Sequence, residues 1–257
     1  MEPNPQAWID ALRHSHDALR GMVEPLDEAV LRRQSYASDW SIAQVLSHLG
    51  SGAEIFGIFL ESGLAGTEPP GGDTLPRIWQ AWNERSPQAQ ATDALATDET
   101  LVKRLEALDA GQRDRIRMHL FGTDLDLTGL VRMRLGEHAV HNWDVAVALD
   151  PAATVASDAV SLLVDALGPI AARSGKPSDR PLAVRVTTTD PVREFLIESG
   201  DTVRLEPADA DSSLPHLRLS AEALVRLVYG RLDPAHSPPV GASEVDLDEL
   251  RRMFPGF

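Results

Sequence analysis

Glu137, His138 and His141 stand within little more than one helical turn of the stretch GEHAVHNWDVAVALD, residues 136–150. Carboxylates and imidazoles are ligands for divalent cations and also carry protons near neutral pH. In an α-helix, residues four apart share a face. Glu137 and His141 then lie about 6 Å apart along the axis and can reach one ion. His138 and His141, three apart, are also neighbours, and spacing alone does not choose between the two pairs. Either pair is an incomplete metal site, and either is equally a solvent-facing polar pair unless another element adds a third ligand.

His48, within SDWSIAQVLSHLGSGAEIF (residues 38–56), is the candidate third ligand. It shares a helical stripe with Val45, Gly52, Ile55 and Phe59 and is expected to face the interior. Metal sites in helix bundles are assembled from inward residues on facing helices. His48, Glu137 and His141 would supply two nitrogens and one oxygen and leave a fourth position open, as in catalytic zinc sites. The competing reading is a core histidine satisfied by hydrogen bonds.

These residues depend on long helices for their placement. Apolar residues at helical spacing predict a first helix from Gln6 to about Val23. A second begins near SDWS, capped by Ser38, Asp39 or Ser41, and runs through Ser62. Gly50 and Gly52 lower its helix propensity but permit close approach of a neighbour. A third helical region covers Leu75 to Leu108, with Pro87 bending or interrupting it. DAGQRD reads as a turn, and a fourth helix covers Thr128 to Leu149. Four long segments with short connections predict a bundle.

After Pro151 the pattern changes. One helix over Ser157–Leu167 precedes the linker RSGKPSDRP. LAVRVTTT, REFLIES, TVRLEP and HLRLS then read as short strands. AEALVRLVYGRL and VDLDELRRMF return to helical periodicity. The predicted organisation is a mainly helical α+β chain, with a bundle over residues 1–152 and a smaller α+β domain over 153–257.

Composition narrows the chemistry. The net charge of −15, with no Lys/Arg-rich run, disfavours nucleic acid and anionic membrane surfaces as partners. There is no cysteine, which excludes disulfides, thiolate metal sites and a cysteine nucleophile. Any thiol chemistry needs a thiol from outside. MEPNPQAWIDALRHSHDALRG has no basic segment followed by an apolar run, and no apolar stretch approaches ~20 residues, so a cytoplasmic protein is expected.

Trp40, the Val-Leu-x-His-Leu segment ending at His48 and Leu49, and Glu137-x-x-x-His141 followed by Trp143-Asp144 together resemble the mycothiol-dependent maleylpyruvate isomerase family. In layout the resemblance covers most of the chain, although its specific motifs occupy two short stretches. It implies a DinB-like four-helix bundle with metal ligands at His48, Glu137 and His141. It also implies zinc as the ion, mycothiol as thiol cosubstrate and a small electrophile as substrate. His138 becomes a neighbour of the ligands, and Asp144, three residues after His141, either orients a ligand, caps a nearby group or is a structural carboxylate at a helix contact. Arg231, at a position where family members carry arginine, becomes a candidate for binding a substrate carboxylate, against the plainer reading that it neutralises a helix C-terminus. Arg185 and Arg193 read as solvated strand residues.

Zinc would lower the pKa of an arriving thiol. The thiolate would then serve isomerisation, by reversible addition to a double bond, or S-transfer. Zinc-dependent hydrolysis on the same bundle is the alternative activity. A non-catalytic metal-binding or regulatory role is the alternative of another class.

Overall fold

The computed structural model describes residues 4–256 apart from 38, 121, 179 and 209–212, with the backbone alone at 243. Two compact units divide the chain, Met1–Ala159 and Val160–Phe257.

The first unit is built on α1 (Pro5–Val23), α3 (Ile42–Ala65), α5 (Pro87–Glu106) and α7 (Leu127–Leu149). α1 and α3 each pack against both α5 and α7, which closes a four-helix bundle. Shorter helices α2 (Glu28–Leu31), α4 (Thr74–Asn83) and α6 (Ala110–Arg115) lie in the connections. Local chemistry sets the ends. Asn4 caps α1, and Ser41 forms a capping box with Gln44 at the start of α3. Ser38, the other serine proposed as cap, lies outside the described residues. α3 stops where Gly66 adopts φ +66°, a left-handed geometry suited to glycine.

Pro87 divides the predicted third helix into two. It occupies the first turn of α5 behind the Ser86 cap, where its missing N–H costs nothing. Between α6 and α7 the sequence reading is corrected. DAGQRD forms a capped helix rather than a turn, and a β-hairpin follows it, β1 (Arg117–Leu120) against β2 (Thr123–Asp126). Four-residue strands carry too little alternation to stand out from their helical surroundings.

Leu31, Ile42, Leu46 and Leu60 are completely buried, each stabilising the unit by roughly 1.5–3 kcal/mol. At Gly50 the Trp82 ring from α4 lies where a Cβ would stand. α7 is buried on nearly every face, and the polar residues it carries are therefore held in place by neighbours.

α8 (Ser157–Leu163) spans the division between the units. The second unit continues with a 3-10 turn (Val164–Ala166) and α9 (Gly168–Ser174), which lies partly within the expected linker. Its sheet comprises β3 (Leu182–Thr189), β4 (Glu194–Ser199), β5 (Val203–Pro207), β6 (His216–Ser220) and β7 (Gly241–Ser243), in the order β5-β4-β3-β6-β7. β3 and β6 are parallel; the other pairs are antiparallel. α10 (Ala221–Val228) follows β6 directly, capped by Ser220, and α11 (Leu247–Met253) ends the unit. α10 is shorter than predicted because Gly230, at φ +73°, reverses the chain against Gly256. β7, three residues long, was not anticipated. Among the described residues no helix is long and apolar enough to cross a membrane.

Candidate metal centre

α3 and α7 pack side by side and bring His48 to Glu137 and His141. Glu137 Oε2 lies 3.2 Å from His48 Nε2 and 3.7 Å from His141 Nε2. The two imidazole rings stand 4.6 Å apart, edge to face. One donor atom from each residue falls within 4.8 Å of the other two. That convergence and donor set, two nitrogens and a carboxylate oxygen, fit a divalent ion such as zinc.

Burial departs from the expectation that His48 faces the interior. Its side chain is 34% exposed and that of Glu137 36%, whereas His141 is 11% exposed. The cluster sits at the flank of the bundle, partly open to solvent. Burial would raise the Glu137 carboxyl, but the His48 hydrogen bond and the nearby His141, His48 and Arg134 outweigh it and hold the group at about 2. It is a carboxylate near neutral pH.

Asp144, three residues beyond His141 and completely buried, accepts from His141 Nδ1 at 2.8 Å. This bond leaves Nε2 facing Glu137, the arrangement in which a carboxylate orients a ligating imidazole. The Trp40 ring lies 5.1 Å from the His48 ring and 6.0 Å from the His141 ring, tilted toward both.

His138 does not join this cluster. The step from Glu137 to His138 turns it about 100° around α7. There it hydrogen-bonds Ser15 Oγ at 2.8 Å and lies 2.9 Å from Asp98 Oδ2. Two stripes of residues four apart thus run along α7: Arg134 with His138, and Glu137 with His141. Burial favours the neutral imidazole of His138. Its partners His16 and Asp98 escaped the sequence reading. Each carries a legible signal, a polar residue on an otherwise apolar stripe: His16 among Leu12 and Leu19, Asp98 among Ala94, Leu101 and Leu105.

Arg231 belongs to the second unit. Its Nη1 donates to the Tyr229 carbonyl at the end of α10, at 2.6 Å, the contact expected of a cation neutralising a helix C-terminus. Arg185 and Arg193 pair with Glu194 and Asp165.

Fold and cluster define a helix bundle with a His–Glu–His candidate metal centre on its flank, followed by an α+β unit. Within that class, the profile of the mycothiol maleylpyruvate isomerase N-terminal domain matches residues 12–146, more than half of the chain, and the chain belongs to this family. The crystal structure of the mycothiol-dependent maleylpyruvate isomerase aligns over 95% of each chain at 13% identity, with a TM-score of 0.70. The structure of a histidine-to-alanine mutant of that enzyme aligns with the same values. At this identity the likeness establishes the shared fold. No curated protein sequence matches.

Proposed function

We propose that the protein is an enzyme that uses an external low-molecular-weight thiol, mycothiol, on a small electrophilic substrate, with zinc held by His48, Glu137 and His141. The observation that carries this reading is the convergence of these three side chains from α3 and α7, inside the segment matched by the family profile. When bound, such an ion lowers the pKa of a thiol that reaches it and keeps it thiolate near neutral pH. His48 and His141 would hold the ion by ring nitrogens, Glu137 would add a negative charge that partly offsets it, and Asp144 orients His141. Trp40 packs against both rings and restricts their movement.

The thiol itself supplies the nucleophile, in keeping with the absence of cysteine. Addition of thiolate sulfur to one carbon of a conjugated double bond forms a C–S bond and turns the double bond into a single bond. Rotation and expulsion of the same thiolate then give the cis–trans isomer, with no net consumption of thiol. With a leaving group on the carbon, the same attack is S-transfer and the thiol is consumed.

The test measures zinc content and turnover of electrophilic alkenes, with and without mycothiol, in the wild type and His48→Ala. Zinc at the wild-type site, turnover only with thiol, and loss of both in the variant support the reading. Unchanged metal content and activity in the variant would remove its basis, and thiol-independent ester or amide hydrolysis would replace it with a hydrolase.

A further inference from the structure

We propose that the first unit binds a second divalent metal ion, in a fully buried site formed by His16, Asp98 and His138. The three residues come from α1, α5 and α7, and all are buried, at 0%, 2% and 0% exposure. His16 Nδ1 lies 2.8 Å and His138 Nε2 2.9 Å from the same oxygen, Asp98 Oδ2. Donor atoms around a tetrahedral ion with bonds of about 2.0–2.2 Å stand roughly 3.3–3.6 Å apart, so the cluster needs to open by about half an ångström.

The groups behind these donors support the assignment. A ligating histidine holds its other ring nitrogen on an oxygen that fixes the ring. His138 Nδ1 is hydrogen-bonded to Ser15 Oγ at 2.8 Å, and the backbone carbonyl of Ser15 accepts from Asn142 Nδ2 at 3.0 Å. On His16 the other ring nitrogen, Nε2, stands 3.1 Å from Glu99 Oε2 without forming an aligned hydrogen bond, so the support behind the donors is complete at His138 and Asp98 only. Arg134 Nη2 takes the second oxygen of Asp98 at 2.7 Å and also bonds the Leu49 carbonyl, which turns Oδ2 toward the two imidazoles.

The competing occupant is the proton. An N–H on His16 Nδ1 makes a well-formed bond to Asp98 Oδ2. It leaves His138 Nε2, completely buried and 2.9 Å from that oxygen, without a hydrogen bond, since the geometry is not aligned. Buried polar nitrogens are rarely left so. An ion among the three donors uses this nitrogen. Because the cluster has no exposed face, the ion is gained on folding and stabilises the bundle.

The experiment uses the full chain and zinc alone. Protein stripped with chelator is reloaded, dialysed and assayed for zinc, and its Tm is followed with and without zinc. The wild type is expected to hold two equivalents. His48→Ala/His141→Ala should hold one and retain a zinc-dependent rise in Tm. Adding His16→Gln should abolish both. A folded double variant that takes no zinc, or a triple variant that keeps its equivalent, overturns the proposal. Should the triple variant fail to fold, Ser15→Ala in the double-variant background keeps all three donors. It should weaken zinc binding 10–100-fold, and unchanged affinity overturns the assignment. One wild-type equivalent, lost in the double variant, would leave the catalytic reading standing and remove this one.

Discussion

Asp144 Oδ2 accepts a hydrogen bond from His141 Nδ1 at 2.8 Å, and this contact selects which nitrogen of His141 faces Glu137 and His48. Asp144→Asn keeps the size of the side chain and removes its charge. Zinc affinity at the flank site, measured by chelator competition, should fall 10–100-fold while the circular dichroism spectrum stays that of the wild type. Equal affinity in both proteins would show that Asp144 is only a structural contact.

Gly50 should not tolerate a methyl group. A Cβ there would lie 2.2 Å from Trp82 Cζ3 and 3.0 Å from Ala94 Cα, and both neighbours are buried in the core. Gly50→Ala should destabilise the protein by about 1–3 kcal/mol despite the better helix propensity of alanine. Denaturant unfolding reads the change, and a gain in stability would contradict the packing described.

Acid should destabilise the bundle in a defined window. Burial would raise the Glu99 carboxyl, but bonds from Arg13 and Lys103 hold it at about 2 instead of 4.5. Burial acts on Asp98 in the same sense, and His138 and Arg134 hold it well below 3.8. Folded-state values below the unfolded ones give stability that is complete above about pH 4.5 and disappears as pH falls toward 2. Stability followed against pH in metal-free protein should decline over that interval, and Glu99→Gln should make the decline shallower. An identical acid limb in the variant would exclude the contribution of Glu99.

In the second unit, Arg226 is buried and pairs with Glu222 through two bonds of 2.7 and 3.0 Å, while Nη1 donates to the carbonyls of Arg231 and His236. Arg226→Met leaves Glu222 without this cation and two carbonyls without their donor. The expected loss is about 3 kcal/mol or more in thermal or denaturant unfolding. Zinc uptake by the first unit should not change, and a loss of uptake would show that Arg226 acts beyond its own unit.

The helices that carry the flank cluster were legible because each runs for more than twenty residues between turn-forming stretches. α1, α3 and α7 begin and end close to the limits read from apolar spacing, and Ser41 was visible as a cap. The break at Pro87 was legible as well, since proline fits a first turn and not an interior. The hairpin over residues 117–126, the helix at 110–115 and strand β7 were not. Each is too short for periodicity to rise above local composition; strand pairing holds the hairpin and β7, and the Asp109–Gln112 capping box starts the helix.

The sequence by itself determined that Glu137 and His141 share a face, since a helix with 3.6 residues per turn allows nothing else at that spacing. It also determined that any thiol must come from outside, because the chain has no cysteine. Spacing left Glu137 and His138 both open as the partner of His141, and the tertiary structure brings Glu137 to it, as the family resemblance implies. The neighbours of α7 made that choice: α3 brings His48 to one stripe, while α1 and α5 bring Ser15, His16 and Asp98 to the other. Local sequence sets which side chains of one helix point together. Which side chains each of those stripes meets depends on the contacts between helices distant in the chain, and packing alone supplies them.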